Sequence, residues 1–160
     1  MNSYPEYITK LEKNEVFVFQ SNLSGFSGAG SAGFASFNEL GNVWRKYKYD
    51  EWPLGGKGKW NVKGVSEGFQ KGEIGMSYAI PTVTQAGKKR SIPLERIEQS
   101  ILSFYAFAIS TPKLVFYVAQ DAKMGLNGYT PEEMARAYSI TLPPNNVFFY
   151  EPFAKLIYGK

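Results

Sequence analysis

The sequence predicts a three-layer α/β/α domain, in which helices cover both faces of a mostly parallel sheet. Short apolar segments rich in β-branched and aromatic residues alternate along the chain with stretches of helical periodicity. Polar, glycine-containing loops follow two of these apolar segments. The chain has 160 residues, of which 44% are hydrophobic, enough for one sizeable core. We therefore expect residues 1–160 to form a single domain.

The first strand is predicted at residues 15–19, EVFVF, after a polar lead-in with a short helical turn at residues 6–11. A polar turn follows at residues 20–23, and then a glycine-rich run precedes a helix predicted at residues 30–40. This order suits an anion, because glycines let backbone N–H groups approach it and a helix N-terminus carries partial positive charge. The alternative is a glycine-rich connection that packs closely against a helix.

Two well-known glycine motifs do not fit this run. No Lys-Ser or Lys-Thr pair follows the glycines, which excludes a Walker A loop. Gly28, Gly30 and Gly33 have the spacing of the dinucleotide fingerprint, but the polar loop before them is too long for it.

Residues 42–75 lack a clean period and are predicted to form a functional flap or a small hairpin insertion. Aromatic residues interleaved with cations can stack on bases and neutralise phosphates. The alternative is a satellite hydrophobic cluster with a solvated basic face. The segment contains Trp44, Trp52 and Trp60, and its cations include Arg45, Lys46, Lys48, Lys57, Lys59 and Lys63.

The second half of the chain continues the alternation. A buried strand is predicted at residues 77–82, stopped by Pro81, and a basic loop at residues 84–90. A helix follows at residues 93–110, and then a continuous apolar strand at residues 114–119.

A second polar loop covers residues 120–129, and a helix to residue 138 comes after it. Thr130 is its predicted N-cap, Pro131 its first residue, and Glu133 closes a capping box. A last strand is predicted at residues 147–150 and a short helix at 153–158. If the first strand and the strand at 114–119 are close in the sheet, the two polar loops face each other across one crevice.

The composition excludes several kinds of chemistry. The chain contains no histidine and no cysteine, which excludes Ser-His-Asp catalysis, disulfides and zinc sites built on imidazole or thiolate. We predict no metal site and no cofactor. No apolar run approaches the ~20 residues that span a bilayer, and residues 1–11 lack a secretory signal pattern. The expectation is a cytoplasmic protein without a membrane partner, and a homo-oligomer is left open. A net charge of +4 favours an anionic ligand without requiring nucleic acid.

Two loops of the chain carry recognisable motifs. The first is S-N-L-x-G-x-x-G-A-G-x-A at residues 21–32, directly after an apolar strand. The second is G-L-N-G-Y at residues 125–129, followed by T-P-E-E. Both resemble loops of macrodomains, particularly of macrodomain-like proteins of bacteriophages and bacteria. The resemblance, which covers roughly residues 14–140, implies a macrodomain-like sheet with the segment at 42–75 as an insertion.

The resemblance also implies the ligand and the residues that bind it. Asn22 would lie by the distal ribose of an ADP-ribose-type nucleotide, and the backbone of residues 25–30 by that ribose and its phosphate. Residues 125–129 would surround the diphosphate. The implied ligand-binding residues are Ser21, Asn22, Leu23, Gly25, Gly28, Ala29, Gly30, Gly125, Leu126, Asn127, Gly128 and Tyr129.

Three functions are open as hypotheses. The first, which the resemblance implies, is capture of an ADP-ribose-type or related signalling nucleotide, in phage counter-defence and in the host cytoplasm if the chain is phage-encoded. The second is hydrolysis of an ADP-ribose derivative, in which Asp121 orients a water and Lys123 stabilises an anion. These two residues equally fit a surface ion pair. The third, less favoured, is a nucleic-acid or protein-binding module that uses the Trp/Lys-rich segment.

Overall fold

The computed structural model describes residues 2–8, 10–24, 66–71, 75–85 and 87–159. In these ranges the chain forms six strands and three helices. The strands are β1 Ser3–Tyr4, β2 Glu15–Asn22, β3 Gly68–Lys71, β4 Met76–Val83, β5 Val115–Val118 and β6 Val147–Tyr150, and the helices are α1 Leu94–Ser110, α2 Pro131–Tyr138 and α3 Glu151–Tyr158.

The six strands form one sheet in the order β1-β6-β5-β2-β4-β3. All neighbouring pairs are parallel except β3, which runs antiparallel to β4 at one edge. In β2, Val16 lies opposite Met76 of β4 on one side and Phe116 of β5 on the other. Helices alternate with the parallel strands from β4 onwards, which confirms the α/β class.

The two faces of β2 belong to different parts of the core. Val16 and Val18 join the large core cluster, to which α1, α2 and α3 all contribute buried side chains. Phe17 and Phe19 point to the opposite face, where Ala79 is buried with them and the partly buried Ile8 and Leu11 pack against them. In the described ranges all three helices cover the first face. A helical layer on the second face would have to come from residues outside those ranges, and remains a prediction.

Local sequence signals placed the later helices and strands well. α2 begins and ends as predicted, because Thr130 and Glu133 make both hydrogen bonds of the capping box and Pro131 occupies the first turn. β6 has the predicted bounds. α1 begins one residue after its predicted start, with Pro93 at the N-cap position. α3 begins at Glu151, two residues before its predicted start.

Three predictions in the strands were wrong. β2 continues to Asn22, since Gln20, Ser21 and Asn22 keep their pairing with β4 despite their polar side chains. Pro81 does not stop β4, because β3 pairs with β4 only as far as Ala79 and the missing N–H of Pro81 breaks no ladder there. Residues 3–4 form an edge strand beside β6, where a polar lead-in was expected.

Candidate functional site

The site is the edge of the sheet where β2 and β5 end. These strands are parallel neighbours, so the segments after Asn22 and Val118 leave the sheet at the same edge. From β2 the chain goes to β3 and β4 on one side, whereas from β5 it goes to β6 on the other side. Ligands of open α/β sheets bind where neighbouring connections diverge in this way. We call this place the switch-point edge. The two polar loops predicted to face each other do begin side by side.

Four neutral polar residues form a hydrogen-bonded group at the switch-point edge, which we call the carboxamide cluster. Gln20 of β2 donates from Nε2 to Oε1 of Gln120, beyond the end of β5. Its own Oε1 accepts from Nδ2 of Asn127 at 3.0 Å and from Oγ1 of Thr82 at 3.3 Å. Gln120, Asn127 and Thr82 are all buried. The cluster therefore fixes the ends of β2, β4 and β5 relative to one another without any charged group.

The first predicted loop starts from buried polar residues. Ser21 donates to the backbone oxygen of Ser66, and Ser24 donates to Oδ1 of Asn22. Both Ser21 and Asn22 are buried, whereas Leu23 is exposed. Because Ser66 lies just before β3, this hydrogen bond joins the end of β2 to the residues that precede β3.

Part of the predicted first loop lies outside the described residues. This part includes the four predicted ligand residues Gly25, Gly28, Ala29 and Gly30, together with the helix predicted at residues 30–40. Most of the insertion predicted at residues 42–75 also lies outside them, and its last part contains β3.

The second loop is held by its own side chains. Oδ1 of Asn127 accepts from the backbone N–H of Tyr129 at 2.9 Å, which makes a tight local turn. Gly128 within that turn has a φ of +83°. The ring of Tyr129 is buried, and its hydroxyl donates to the backbone oxygen of Ile92 at 2.7 Å. The side chains of Asn127 and Tyr129 are thus engaged within the protein, while Leu126 is 85% exposed.

Arg90 joins the second loop to the segment that follows β4. Its backbone N–H donates to the oxygen of Asn127 at 2.7 Å, and its guanidinium carbon lies 4.7 Å from the centre of the Tyr129 ring. Its Nη2 is 2.8 Å from Oε1 of Glu133. The hydrogen bond from the backbone of Thr130 and the nearby Arg90 guanidinium lower the pKa of Glu133. The second loop therefore has rigid support from α2 and from the end of β4.

The two predicted catalytic residues, Asp121 and Lys123, lie two positions apart in the second loop. Both oxygens of Asp121 accept hydrogen bonds, one from Tyr7 Oη at 2.6 Å and one from the N–H of Ala122 at 2.7 Å. The hydrogen bond to Asp121 raises the pKa of Tyr7 to about 12. Lys123 is exposed and makes no ion pair with Asp121. The alternative, an ion pair between these two residues, is therefore not formed, and their catalytic roles stay a prediction.

Sequence reasoning did not select Gln20, Thr82 or Gln120 as site residues. A usable signal existed, because Gln20 and Gln120 each follow an apolar segment predicted as a buried strand. A polar residue at the carboxyl end of a parallel strand is placed where ligands bind. Thr82 gave a similar signal, since it is the last residue of the strand predicted at 77–82.

No protein-family model, curated protein or solved structure that was compared with this chain matches it. Across the part of the chain that the structure describes, no three acidic side chains are grouped so that they could hold a metal ion. Within the same ranges, no helix has both the length and the apolar character needed to cross a bilayer.

Proposed function

We propose that this chain binds an ADP-ribose-type or related signalling nucleotide at the switch-point edge, in a macrodomain-like α/β/α domain. The observation that carries the proposal is a hydrogen bond from the second macrodomain-like loop to the residue of β2 that directly precedes the first. Asn127 of the second loop donates to Gln20, which lies two residues before Asn22 of the first. The two loops begin on neighbouring parallel strands, which is where a single elongated ligand would contact both.

The chemistry of the described residues supports a ligand of this kind. The carboxamide cluster and the buried Ser21 and Asn22 offer neutral donors and acceptors, which suit ribose hydroxyls and base edges. In the second loop the N–H groups of Gly128 and Tyr129 donate to Gly125 and Asn127. The N–H groups of Gly125, Leu126 and Asn127 are the ones that we propose face a diphosphate. Leu23 and Leu126 are exposed at the same edge and can cover the apolar face of a sugar or base.

Capture is favoured over hydrolysis. Capture needs only donors and acceptors at the switch-point edge, whereas hydrolysis also needs a group that activates water. Asp121, the predicted candidate for that role, accepts hydrogen bonds from Tyr7 and from the N–H of Ala122. We place the protein in the cytoplasm, of the host if it is phage-encoded, where retention of a signalling nucleotide would remove that signal. Hydrolysis and nucleic-acid binding through the Trp/Lys-rich segment are outcomes that the experiment below separates.

The test is to incubate the purified protein with a panel of ADP-ribose-type nucleotides and to analyse bound and released material by mass spectrometry. Recovery of the intact nucleotide after heat denaturation supports capture. A chemically altered product supports hydrolysis instead. Retention of no nucleotide, together with binding of oligonucleotides, would overturn the proposal in favour of the nucleic-acid module.

A further inference from the structure

The segment that follows β4 places a basic turn beside the second loop. Residues 84–91, TQAGKKRS, contain three cations and no acidic residue. The turn is tied to the second loop through Arg90, and a side chain at Gly128 would bring its Cβ to 2.8 Å from the Cβ of Lys89. Lys88 and Lys89, which we call the lysine pair, are therefore next to the loop proposed to surround a diphosphate.

The turn is fixed by several hydrogen bonds before any ligand arrives. The N–H of Lys88 donates to the oxygen of Gln85 at 3.1 Å, and the N–H of Ser91 donates to the oxygen of Lys88 at 3.2 Å. Oγ of Ser91 accepts from the N–H of Thr84 at 2.8 Å. Arg90 has a φ of +53°, a conformation that the contacts of its backbone and side chain with the second loop hold in place. The backbone of the lysine pair is thus positioned in advance.

The three cations of this turn have different surroundings. Arg90 is neutralised by Glu133, with which it forms an ion pair. Lys88 and Lys89 are exposed and take part in none of the ion pairs between described residues. The acidic groups on the neighbouring elements include Glu132 and Glu133 of α2, Asp121 of the second loop and Glu95 in the first turn of α1. Glu133 is paired with Arg90, and none of the four forms an ion pair with Lys88 or Lys89. Two cations therefore remain for an external anion.

We infer that the lysine pair is an anion subsite that binds a phosphate group of the ligand, next to the backbone of Gly125 to Tyr129. Ammonium groups on flexible four-carbon stems are suited to a phosphate because they approach it as mobile point charges. The inference rests on the proposed function for the rest of the ligand, but the subsite itself can be tested with an inorganic probe.

The experiment is calorimetric titration with inorganic pyrophosphate at low ionic strength, since salt at 0.1 M screens exposed charges beyond about 10 Å. Three proteins are compared: the unaltered chain, the double variant Lys88→Gln/Lys89→Gln, and the control Lys13→Gln/Lys113→Gln. The control removes the same charge from exposed lysines that precede β2 and β5, at the opposite edge of the sheet. We expect the control to bind like the unaltered protein and the first variant to lose affinity by about tenfold or more.

Equal affinity in the two double variants, or no binding of pyrophosphate by the unaltered chain, would overturn the subsite. A parallel titration with ADP-ribose separates this failure from that of the proposed function. Pyrophosphate binding that depends on the lysine pair, without binding of any nucleotide, keeps the subsite and refutes the nucleotide function. Nucleotide binding that is the same in both double variants keeps the function and refutes the subsite.

Discussion

Gln20 and Gln120 join the ends of the two central strands by a hydrogen bond between their side-chain amides. The two residues are 100 positions apart in the chain, and no local sequence pattern connects them. Through Gln20 the same contact extends to Asn127 and Thr82, so that three strand ends are held at the edge where we place the ligand.

The first prediction concerns the free energy contributed by this contact. Gln20→Ala and Gln120→Ala should each lower the free energy of unfolding by about 1–3 kcal/mol, because buried partners lose a hydrogen bond. The double variant should cost less than the sum, with a coupling energy of about 0.5–3 kcal/mol. Urea denaturation of the unaltered chain, the two single variants and the double variant measures this coupling energy. Gln99→Ala, on the exposed side of α1, is the control. Additive losses would show that the two amides do not interact.

Gly128 and Gly125 provide a matched pair within one loop. Gly128 has a φ of +83°, and its Cβ would lie 2.8 Å from the Cβ of Lys89, whereas at Gly125 the nearest atom would be 4.0 Å away. Gly128→Ala should therefore lower the free energy of unfolding by about 1–2 kcal/mol from backbone strain alone, with more from the steric clash. Gly125→Ala should change it little. Similar denaturation midpoints for the two variants would contradict this account of the loop.

We expect substitutions of Tyr129 to lower the stability of the protein, because its side chain is buried and hydrogen-bonded within it. Tyr129→Phe removes the hydroxyl that donates to Ile92 and should cost about 1–2 kcal/mol, since a buried backbone oxygen loses its partner. Tyr129→Ala should cost about 3–5 kcal/mol through loss of the buried ring. Tyr7→Phe, which removes an exposed hydroxyl, is the control for thermal unfolding. If Tyr129→Phe had the same melting temperature as the unaltered chain, the hydrogen bond from Tyr129 to Ile92 would contribute nothing to stability.

Glu67 should make stability depend on acid pH. Its hydrogen bond from Arg96 is the main cause that lowers its pKa below 4.5 in the folded protein. The stabilisation is therefore complete above the unfolded-state pKa and is lost as the pH falls through the lower folded-state pKa. Glu67→Gln should cost about 1 kcal/mol at pH 7, because the ion pair is partly exposed, and the difference should vanish towards pH 2.

The control for Glu67 is Glu6→Gln, which alters an exposed carboxylate. The measurement is urea denaturation of the unaltered chain and both variants between pH 2 and pH 7. A difference between Glu67→Gln and the unaltered chain that stayed constant across this range would mean that the carboxylate charge is not involved.

The sequence could predict those parts of the fold whose causes are local. The capping box of Thr130 and Glu133 and the proline between them are local signals, and α2 has the predicted bounds. The end of β2 at Asn22 and the passage of β4 through Pro81 depend instead on which strands lie alongside. Residues 3–4 become a strand only because β6, more than 140 residues away, pairs with them. No local pattern contains that information.

The candidate site, like the fold, could be predicted from the sequence only in part. The positions of both polar loops followed from the apolar segments before them, and their adjacency was predicted only on the condition that the two strands were close. The partners of Asn127 and Tyr129 could not be predicted, because Gln20 and Ile92 are 107 and 37 positions away. As a result, two side chains expected to contact the ligand are engaged in holding the loop.

The central claim is that a nucleotide binds at the switch-point edge with Asn22 in contact with it. The most direct test is calorimetric titration of ADP-ribose into the unaltered chain, into Asn22→Ala, and into Asn145→Ala, which alters an exposed residue before β6. The account predicts equal binding by the unaltered chain and Asn145→Ala. For Asn22→Ala it predicts a loss of about 1–3 kcal/mol, roughly 5- to 150-fold in Kd, from one or two buried hydrogen bonds. Folded Asn22→Ala that binds as tightly as Asn145→Ala, or an unaltered chain that binds no nucleotide, would contradict it.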